Sequence, residues 1–344
     1  MQILTIGAYM LTSFLTIILA CNSEQPPPVV KEVSEKVTLE KVTVYSGRSE
    51  SLVGELFEKI EQELQLDIEV QYGSTSEMAT RFLTEGEQSP ADIIFAQDSG
   101  HLGALAKQGS LATLSPDLLG NVEKRFQAKD GTWIGTSGRL RVLVYDSKQI
   151  SPEQMPKSLK ELSDPKWKGK LGWAPGNGSF QAHVSVLRNV WGEEETKAWL
   201  EGVKSNEPKS YPKNSPQVKA ANEGSLVIGW VNHYYLHRVD PEGRTAVNYS
   251  FPQEDVGNIL MVSGAGIRKG SANKAAAEKV LGYLVSKEGQ SHFAMNNYEY
   301  PTRPNVQTNP DVPDLDLKSV MDIPQEYLID IGPTRTLLQE LALQ

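Results

Sequence analysis

The sequence predicts an α/β protein of two lobes that hold a ligand between them. Three observations support this fold class. The first part of the folded chain alternates short strands with amphipathic helices, the middle is built around a long apolar strand at residues 140–145, and strand character returns at residues 257–267. With 344 residues, the chain is long enough for about two ordinary domains. The simplest arrangement is one α/β lobe, then a second, then a return to the first.

A repeating strand–helix pattern predicts the first lobe. A β-branched run at residues 41–45 predicts the first strand, and an apolar residue at every fourth position predicts the helix after it. The residues that define this helix are Leu52, Leu56, Ile60 and Leu64. Further strands are predicted at residues 66–72 and 92–96, with a helix at residues 77–85 between them. This spacing predicts a parallel sheet with helices on both faces, and such sheets bind ligands at the carboxyl ends of their strands.

The later elements follow a different rhythm. Two short strands and two helices are predicted between the long strands, at residues 170–173, 226–230, 181–190 and 193–204. A strongly amphipathic stretch at residues 273–287 predicts one helix, with Asn273 as its N-cap and Gly289 just past its end.

The N-terminus predicts export and lipid attachment. The only cysteine, Cys21, follows an apolar run at residues 3–20, and the stretch Ile18-Leu19-Ala20-Cys21 resembles the lipobox of bacterial lipoproteins. We therefore expect residues 1–20 to be a signal peptide and Cys21 to carry a lipid; the alternative is an uncleaved anchor. Residues 21–40 include three consecutive prolines and are predicted to form an extended tether. In either case the folded part lies outside the cytoplasm.

Composition argues against several function classes. A net charge of −9 argues against nucleic acid as a partner, because duplex binding needs a clustered basic face. A single cysteine excludes cysteine-based zinc or iron–sulfur sites. The chain has neither a Gly-x-Ser-x-Gly elbow nor a phosphate loop, so we expect a monomeric binding protein rather than an enzyme. His233 and His237 have the spacing of a zinc-binding helix, but we expect them to lie on a solvated helix face.

Several short stretches occur in an order and spacing typical of one family. They include Val44-Tyr45-Ser46-Gly47, Ser137-Gly138-Arg139, Lys213-Asn214-Ser215, Asn232-His233-Tyr234-Tyr235 and Glu299-Tyr300-Pro301. With them, residues 41–306 resemble the ferric-iron-binding members of the type II periplasmic binding proteins, the bacterial transferrin-like family. The resemblance implies two lobes joined by crossing hinge strands, closure on Fe(III), and delivery to the permease of an ABC transporter.

We predict two discontinuous lobes on this basis. The first comprises residues 41–138 plus about 262–313, and the second comprises residues 139–261 plus about 314–344.

The adjacent tyrosines Tyr234 and Tyr235 are the first candidate metal ligands. Fe(III) is a hard ion that prefers anionic oxygen, and its charge drives the deprotonation of phenols whose pKa is otherwise near 10. Adjacent side chains on a regular α-helix point about 100° apart, so both can reach one ion only near a helix start or in a loop. Most adjacent tyrosines only pack, but the resemblance implies that this pair binds iron.

The remaining metal ligands are less clear, because the sequence departs from its relatives at three ligand positions. Relatives have a histidine where this chain has Ser49, a glutamate where it has Gln97, and in some cases a tyrosine where it has Phe180. Glu50 is our candidate for a carboxylate ligand, or else a charge favourable to the start of the first helix. Asp98 could also bind the metal, or it could cap the following helix.

An anion site is expected beside the iron, since the family often binds carbonate or phosphate there. Asn177, Gly178 and Ser179 follow a strand and precede a helix, which aims backbone N–H groups at one point. Further candidates for this site are Asn214, Asn232, Arg139 or Arg141, and Arg48. The alternative for the glycine stretch is an ordinary strand–helix turn. For the whole protein, the alternative is the same fold binding an oxyanion, thiamine or a polyamine.

Overall fold

The computed structural model describes residues 39–328 and 330–343. The predicted signal peptide, Cys21 and the predicted tether up to residue 38 lie outside the described residues. The first strand already begins at Glu40, which the sequence assigned to the tether. Within the described residues, no helix is long and apolar enough to cross a bilayer.

The described part of the chain contains ten strands and ten α-helices, joined by short 3-10 helices and loops. The strands are β1 (Glu40–Ser46), β2 (Leu66–Tyr72), β3 (Ile93–Ala96), β4 (Trp133–Asp146), β5 (Leu171–Trp173), β6 (Lys209–Ser210), β7 (Ile228–Asn232), β8 (Ala246–Tyr249), β9 (Asp255–Ile267) and β10 (Val320–Met321). The helices are α1 (Glu50–Leu64), α2 (Thr75–Glu85), α3 (Ser99–Lys107), α4 (Pro116–Leu119), α5 (Gly178–Trp191), α6 (Glu193–Ser205), α7 (Asn214–Asn222), α8 (Lys274–Leu284), α9 (Lys287–Asn297) and α10 (Ile331–Glu340).

The strands form one continuous path in the order β2-β1-β3-β9-β4-β7-β5-β6, with β10 beside β9 and β8 beside β4. Strand β1 runs parallel to β2 and β3, and β5 runs parallel to β6 and β7, as the strand–helix alternation predicts. Outside these groups, β9 is antiparallel to β3 and β4, and β4 is antiparallel to β7. The sheet is therefore mixed.

Two long strands connect the two parallel groups. Strand β4 pairs with β9 through its first part, from Trp133 to Leu140, and with β7 through its second part, from Arg141 to Tyr145. Every residue of β4 is buried, which explains its long apolar sequence. Arg139 lies in the first part, so it and Arg141 stand where the two groups of strands meet.

Each parallel group has its own apolar core. The core around β1 and β3 includes Val44, Ile93, Phe95, Val280 and Phe293. The core around β5 and β7 includes Trp173, Leu200, Trp230 and, from α10, Leu337 and Leu338. These two cores hold the strand ends that carry the candidate site residues.

The helix predicted at residues 273–287 is present as α8, but it ends three residues earlier than predicted and is followed directly by a second helix, α9. Helix α8 ends at Leu284, and Ser286 caps α9 by accepting a hydrogen bond from the N–H of Gly289 at 3.1 Å. Gly289 lies in the first turn of α9, where a Cβ atom would approach the Tyr283 carbonyl oxygen to 2.2 Å. Asn273 precedes α8, but its amide donates to the carboxylate of Asp92 rather than capping the helix.

Candidate metal and anion site

The tyrosine pair lies on a 3-10 helix, His233–Arg238, that follows β7 directly. Strand β7 lies two residues later than predicted, and its last residue, Asn232, is at the N-cap position of the 3-10 helix without a capping side-chain hydrogen bond. The rings of Tyr234 and Tyr235 are stacked, with centroids 4.3 Å apart and planes inclined by 30°. Tyr234 is buried, with 3% of its surface exposed, and Tyr235 is half-buried. The backbone therefore turns tightly enough after β7 for the phenol rings of two adjacent residues to lie against each other.

The surroundings keep the phenol of Tyr234 protonated when no cation is bound. Burial raises the pKa of Tyr234, and the neighbouring Tyr235 raises this pKa further because two phenolates would repel each other. The charge of Arg139 opposes the shift. Arg238 stands over both rings, with its guanidinium carbon 5.1 and 5.0 Å from their centroids. Binding a metal here must therefore release protons, and acid must weaken it.

A chain of buried polar side chains joins Arg141 to the start of α5. Arg141 donates to the side-chain oxygen of Asn232 at 2.9 Å and to the Trp230 carbonyl at 3.1 Å. The Asn232 amide donates to the Ser179 hydroxyl at 3.3 Å. The side chain of Asn177 caps α5 by accepting from the Ser179 N–H at 3.0 Å. The structure thus brings four of the predicted anion-binding residues into one hydrogen-bonded series, at the strand end where backbone N–H groups of α5 point outward.

Arg141 is the cation of this hydrogen-bonded series, and among the described residues no carboxylate forms an ion pair with it. Burial lowers the pKa of Arg141 to about 9, an effect that Tyr235 and Tyr234 oppose and Arg139 increases. Within the described residues, the Nε atoms of both arginines are buried without a hydrogen-bond partner. Arg139 donates to the Gln97 carbonyl through its Nη2 atom. Two buried guanidinium groups beside two phenols favour a ligand that brings negative charge.

Asn214 is a further polar side chain that lacks partners. It begins α7, is fully buried, and neither its amide nitrogen nor its amide oxygen is hydrogen-bonded within the described residues. Gln217, one turn later, fixes α7 to β7 by accepting from the Trp230 N–H at 3.1 Å and donating to the Trp230 carbonyl at 3.3 Å. Residues three apart share a helix face, so Asn214 also faces β7. A buried amide with both atoms free can hydrogen-bond a polar ligand, because such groups are otherwise paired.

The structure gives Arg48 a role different from the predicted one. Its Nη2 atom donates to both carboxylate oxygens of Glu299, at 2.9 and 2.8 Å, and its Nη1 atom donates to the Ser263 hydroxyl at 3.0 Å. Arg48 and Glu299 are both buried. The prediction that Arg48 faces an anion is therefore wrong, because its guanidinium group already binds the carboxylate of Glu299. Sequence reasoning missed Glu299 as a partner, since nothing in the sequence indicated that Arg48 would be buried.

The predicted carboxylate ligands occupy the starts of two helices. Glu50 is exposed in the first turn of α1, as the alternative of a favourable helix charge describes. Asp98 is the N-cap of α3 and accepts from the N–H of His101 at 3.1 Å and from its ring Nδ1 at 2.8 Å. Burial alone would raise the pKa of Asp98, but the hydrogen bonds and charge of His101 outweigh it and lower this pKa. Asp98 thus fits the capping alternative.

Ser49, Gln97 and Phe180, the three positions where the resemblance leads us to expect ligands of other types, make local contacts. Ser49 precedes α1, and its hydroxyl lies 3.2 Å from that of Ser51. Gln97 contributes its carbonyl, which accepts from the Ser263 hydroxyl at 3.0 Å. Phe180 is fully buried, with edge contacts to Trp173 and Trp230 at 5.9 and 4.8 Å. Among the described residues, no cluster of three or more His, Cys, Asp and Glu side chains is placed to hold a metal.

His233 and His237 do not form the solvated face that the sequence predicts. His233 is buried; its Nδ1 atom accepts from the Leu140 N–H at 3.1 Å and its Nε2 atom donates to the Tyr298 carbonyl at 2.7 Å. Burial lowers the pKa of His233 to about 3. His237 is half-buried and stacks on Tyr298 at 4.6 Å with an angle of 7°. Because both ring nitrogens of His233 are engaged, the pair is not a zinc site either.

Comparisons with known proteins find relatives that are named as solute-binding, iron-binding or iron-uptake proteins. A family model described as bacterial extracellular solute-binding protein matches residues 88–329. The Fe(3+)-binding periplasmic protein of Serratia marcescens is 32% identical, over 78% of this chain and 81% of its own length. Iron uptake protein A1 of Synechocystis is 31% identical over 85% of this chain and 83% of its own length. The crystal structure of iron-bound HitA from Pseudomonas aeruginosa is similar with a TM-score of 0.81 and 29% identity, covering 88% of this chain and 99% of that protein.

Proposed function

The chain belongs to the bacterial extracellular solute-binding protein family, and we propose that its solute is ferric iron, delivered to the permease of an ABC importer. Its fold is the two-lobed type II periplasmic binding fold. Proteins of this family are binding components of transport systems, in agreement with the sequence-based prediction that the chain is not an enzyme. The protein works outside the cytoplasm, as the N-terminal sequence also indicates.

The stacked phenols of Tyr234 and Tyr235 are the observation that carries this proposal. Fe(III) binds phenolate oxygen strongly, and two phenolates on one short helix supply two ligands at one place. Each phenolate also gains from a nearby cation: Arg238 lies over both rings, and Arg139 lowers the pKa of Tyr234. An organic cation would not displace the phenol protons, so it would meet three guanidinium groups without two phenolates to offset their charge, which disfavours the thiamine and polyamine alternatives.

An anion completes the iron coordination in this proposal. Carbonate or phosphate would accept hydrogen bonds from the backbone N–H of Gly178, from the hydroxyl of Ser179 and from the amide of Asn214, with Arg139 and Arg141 balancing its charge. Asn232 and Asn177 hold this arrangement in place. The free amide of Asn214 supports this half of the site, since a bound oxyanion gives it a partner.

Hinge closure supplies the remaining ligand. Glu50 is exposed after β1, on the opposite group of strands from the tyrosines, and we assign it as the carboxylate that closes over the iron. Two phenolates and one carboxylate neutralise one trivalent ion, so little charge is left uncompensated in the cleft. The differential contacts between the open and closed forms then drive closure. We further propose that the protein is a monomer held at the membrane by a lipid on Cys21.

A visible absorption spectrum tests the proposal. The protein is titrated with ferric citrate and desalted, and a broad phenolate-to-iron band should appear and remain. The double variant Tyr234→Phe, Tyr235→Phe should lose the band and the tightly bound iron while keeping its fold by circular dichroism. Tyr283→Phe, a buried tyrosine on α8, is the matched control and should keep both. An unaltered protein that retains neither band nor iron would contradict iron as the solute.

A further inference from the structure

We infer that His233 is a positioning residue, which holds the 3-10 helix so that Tyr234 and Tyr235 meet the metal in a fixed orientation. The inference rests on the proposed iron site and explains a motif, His233 with His237, that iron coordination itself does not use. Its basis is a set of hydrogen bonds and ring contacts that connects this helix to β4 and to residues 298–300. None of these contacts involves the metal.

The ring of His233 links two main-chain segments. Its Nδ1 atom accepts from the N–H of Leu140 on β4, at 3.1 Å, and its Nε2 atom donates to the Tyr298 carbonyl after α9, at 2.7 Å. These two bonds require the neutral ring with its proton on Nε2. The carbonyl of His233 accepts from the Asn248 side chain on β8, at 2.7 Å. Three different segments therefore fix the one residue that precedes Tyr234.

The segment on the other side of the ring is itself fixed. Tyr300 stacks on His233 at 4.6 Å with an angle of 24°, and it exchanges two backbone hydrogen bonds with Gly138 on β4, at 2.7 and 2.9 Å. Tyr298 has a left-handed backbone, with φ of 58°, and His237 stacks on its ring. These contacts thus join His233 to β4, β4 to Tyr300 and the nearby Tyr298, and Tyr298 back to His233.

This set of contacts around His233 restricts the orientation of the tyrosines that follow it. Leu140 lies between Arg139 and Arg141, so the bond from its N–H fixes His233 to the part of β4 that carries both arginines. A peptide unit anchored on both sides cannot rotate, and Tyr234 is the next residue along the chain. Metal ligands must be held within about 0.5 Å of their productive positions, and supporting hydrogen bonds outside the ligand shell commonly do this. Loss of the two ring bonds should therefore change iron coordination even if the fold persists.

Simple core packing is the competing explanation, and two substitutions separate it from positioning. His233→Phe keeps a flat ring against Tyr300 but loses both hydrogen bonds. His233→Gln loses the ring, but its amide can accept from the Leu140 N–H and donate to the Tyr298 carbonyl. If the ring matters only as packing, the Phe variant should behave normally. If it positions the tyrosines, the Gln variant should be the better one.

The experiment compares iron affinity and the phenolate-to-iron band of these variants with the unaltered protein and with His292→Gln, a surface-side histidine on α9. We expect His233→Phe to shift the band and to weaken iron binding about tenfold or more, since loss of supporting hydrogen bonds outside the ligand shell typically costs about 10–100-fold in metal affinity. His233→Gln should recover the affinity to within about threefold, and His292→Gln should match the unaltered protein. An unchanged band and affinity in His233→Phe, or a Gln variant as impaired as a folded Phe variant, would overturn the inference.

A measurement without iron keeps this test separate from the proposed function. The ring signals of Tyr234 and Tyr235 in the NMR spectrum of the iron-free protein report their stacking. They should move in His233→Phe and return towards their original positions in His233→Gln. Asn248→Ala removes the third anchor and should move the same signals less, which gives a second route if the Phe variant does not fold. Signals that stay in place in all three variants would refute positioning, whatever the solute.

Discussion

The two groups of parallel strands each bury an arginine at their carboxyl ends, and they pair it differently. On the β1–β3 side, Arg48 meets the carboxylate of Glu299 and both charges cancel. On the β5–β7 side, Arg141 donates only to the neutral oxygens of Asn232 and Trp230. Arg141 accordingly has its pKa lowered to about 9, as expected for a buried cation without a counter-ion.

This difference indicates which side recognises the ligand. The charges of Arg48 and Glu299 cancel, although the Arg48 Nε atom has no hydrogen-bond partner among the described residues, so the main contribution of the pair is to fix the loop after β1 against residues 299 and 263. The β5–β7 side carries uncompensated positive charge and the free amide of Asn214, which bound phenolates and an anion would satisfy. We therefore expect substitutions on the first side to change mainly stability, and those on the second side to change mainly binding.

The largest expected effect is on the β1–β3 side. Arg48→Ala leaves the Glu299 carboxylate buried and unpaired, which typically costs about 3–5 kcal/mol of unfolding free energy. Urea unfolding of the iron-free protein measures this. The double variant Arg48→Met, Glu299→Leu is the control and should recover most of the loss, because apolar residues of similar size avoid the buried charge. A mild effect of Arg48→Ala, with iron affinity falling instead, would mean that Arg48 serves the ligand after all.

A smaller effect is expected at Asn214, and it should fall on ligand binding rather than on stability. Asn214→Ala removes an amide that has no partner among the residues the structure describes, so the free energy of unfolding should change little. One hydrogen bond to a charged ligand is worth about 1.5–3 kcal/mol, which corresponds to a loss of about tenfold to a hundredfold in affinity for iron with its anion. Calorimetric titration in the presence and absence of phosphate measures this loss.

Asn206 provides the matched control. It is equally buried, but its amide donates to the carbonyls of Leu162 and Asp164, both at 2.9 Å. Asn206→Ala should therefore lower the unfolding free energy by about 1–3 kcal/mol and leave iron binding unchanged. If both variants lose stability and neither loses affinity, the free amide of Asn214 does not mark an anion site.

Arg238 tests how the charge of the β5–β7 side acts on the phenols. Its exposed guanidinium stands over both rings, and an exposed cation–π contact is worth about 0.5–1 kcal/mol. Arg238→Gln should weaken iron binding about twofold to fivefold, and more so at low pH, because protons then compete better for the phenolates. Arg238→Lys retains the charge and should bind nearly as well. Equal losses in both variants would show that the guanidinium plane matters rather than its charge.

The sequence predicted the elements well where periodicity was strong. The exact bounds of β2 and the existence of α1, α5 and α6 followed from their apolar patterns. The end of the helix predicted at residues 273–287 was placed three residues too late, because the apolar pattern runs through the break after Leu284. A local event, the Ser286 cap, ends that pattern in the structure.

The candidate site was predicted unevenly for a similar reason. Tyr234 and Tyr235, and the series from Asn177 to Asn232, were identifiable because their order resembles a known family and each lies at a strand end. The pairing of Arg48 with Glu299 joins residues 251 positions apart, and no local pattern indicates such a contact. The same holds for His233, whose partners Leu140 and Tyr298 are distant in sequence. Burial is decided by the whole fold, so the choice between a ligand and a structural role needed the structure.

The smallest expected effect is the pH dependence of the Asp98–His101 pair on the β1–β3 side. Burial alone would lower the pKa of His101, but the hydrogen bond and charge of Asp98 outweigh it and raise this pKa, while the pKa of Asp98 is lowered. A raised histidine stabilises the fold at pH values below 6.5 and loses this contribution as pH rises through its folded pKa; a lowered aspartate stabilises above 3.8 and loses its contribution on acidification.

The pair should therefore stabilise the protein most between pH 3.8 and 6.5, the ordinary pKa values of the two groups. The unfolding free energy of His101→Gln should fall below that of the unaltered protein by up to about 1 kcal/mol near pH 5, and the difference should shrink towards pH 9. In an Asp98→Asn background the same substitution should show no such pH dependence. A difference that stays constant from pH 5 to 9 would mean that His101 contributes only through the packing and capping of α3. The charges of the Asp98–His101 pair on the β1–β3 side would then make no contribution to stability.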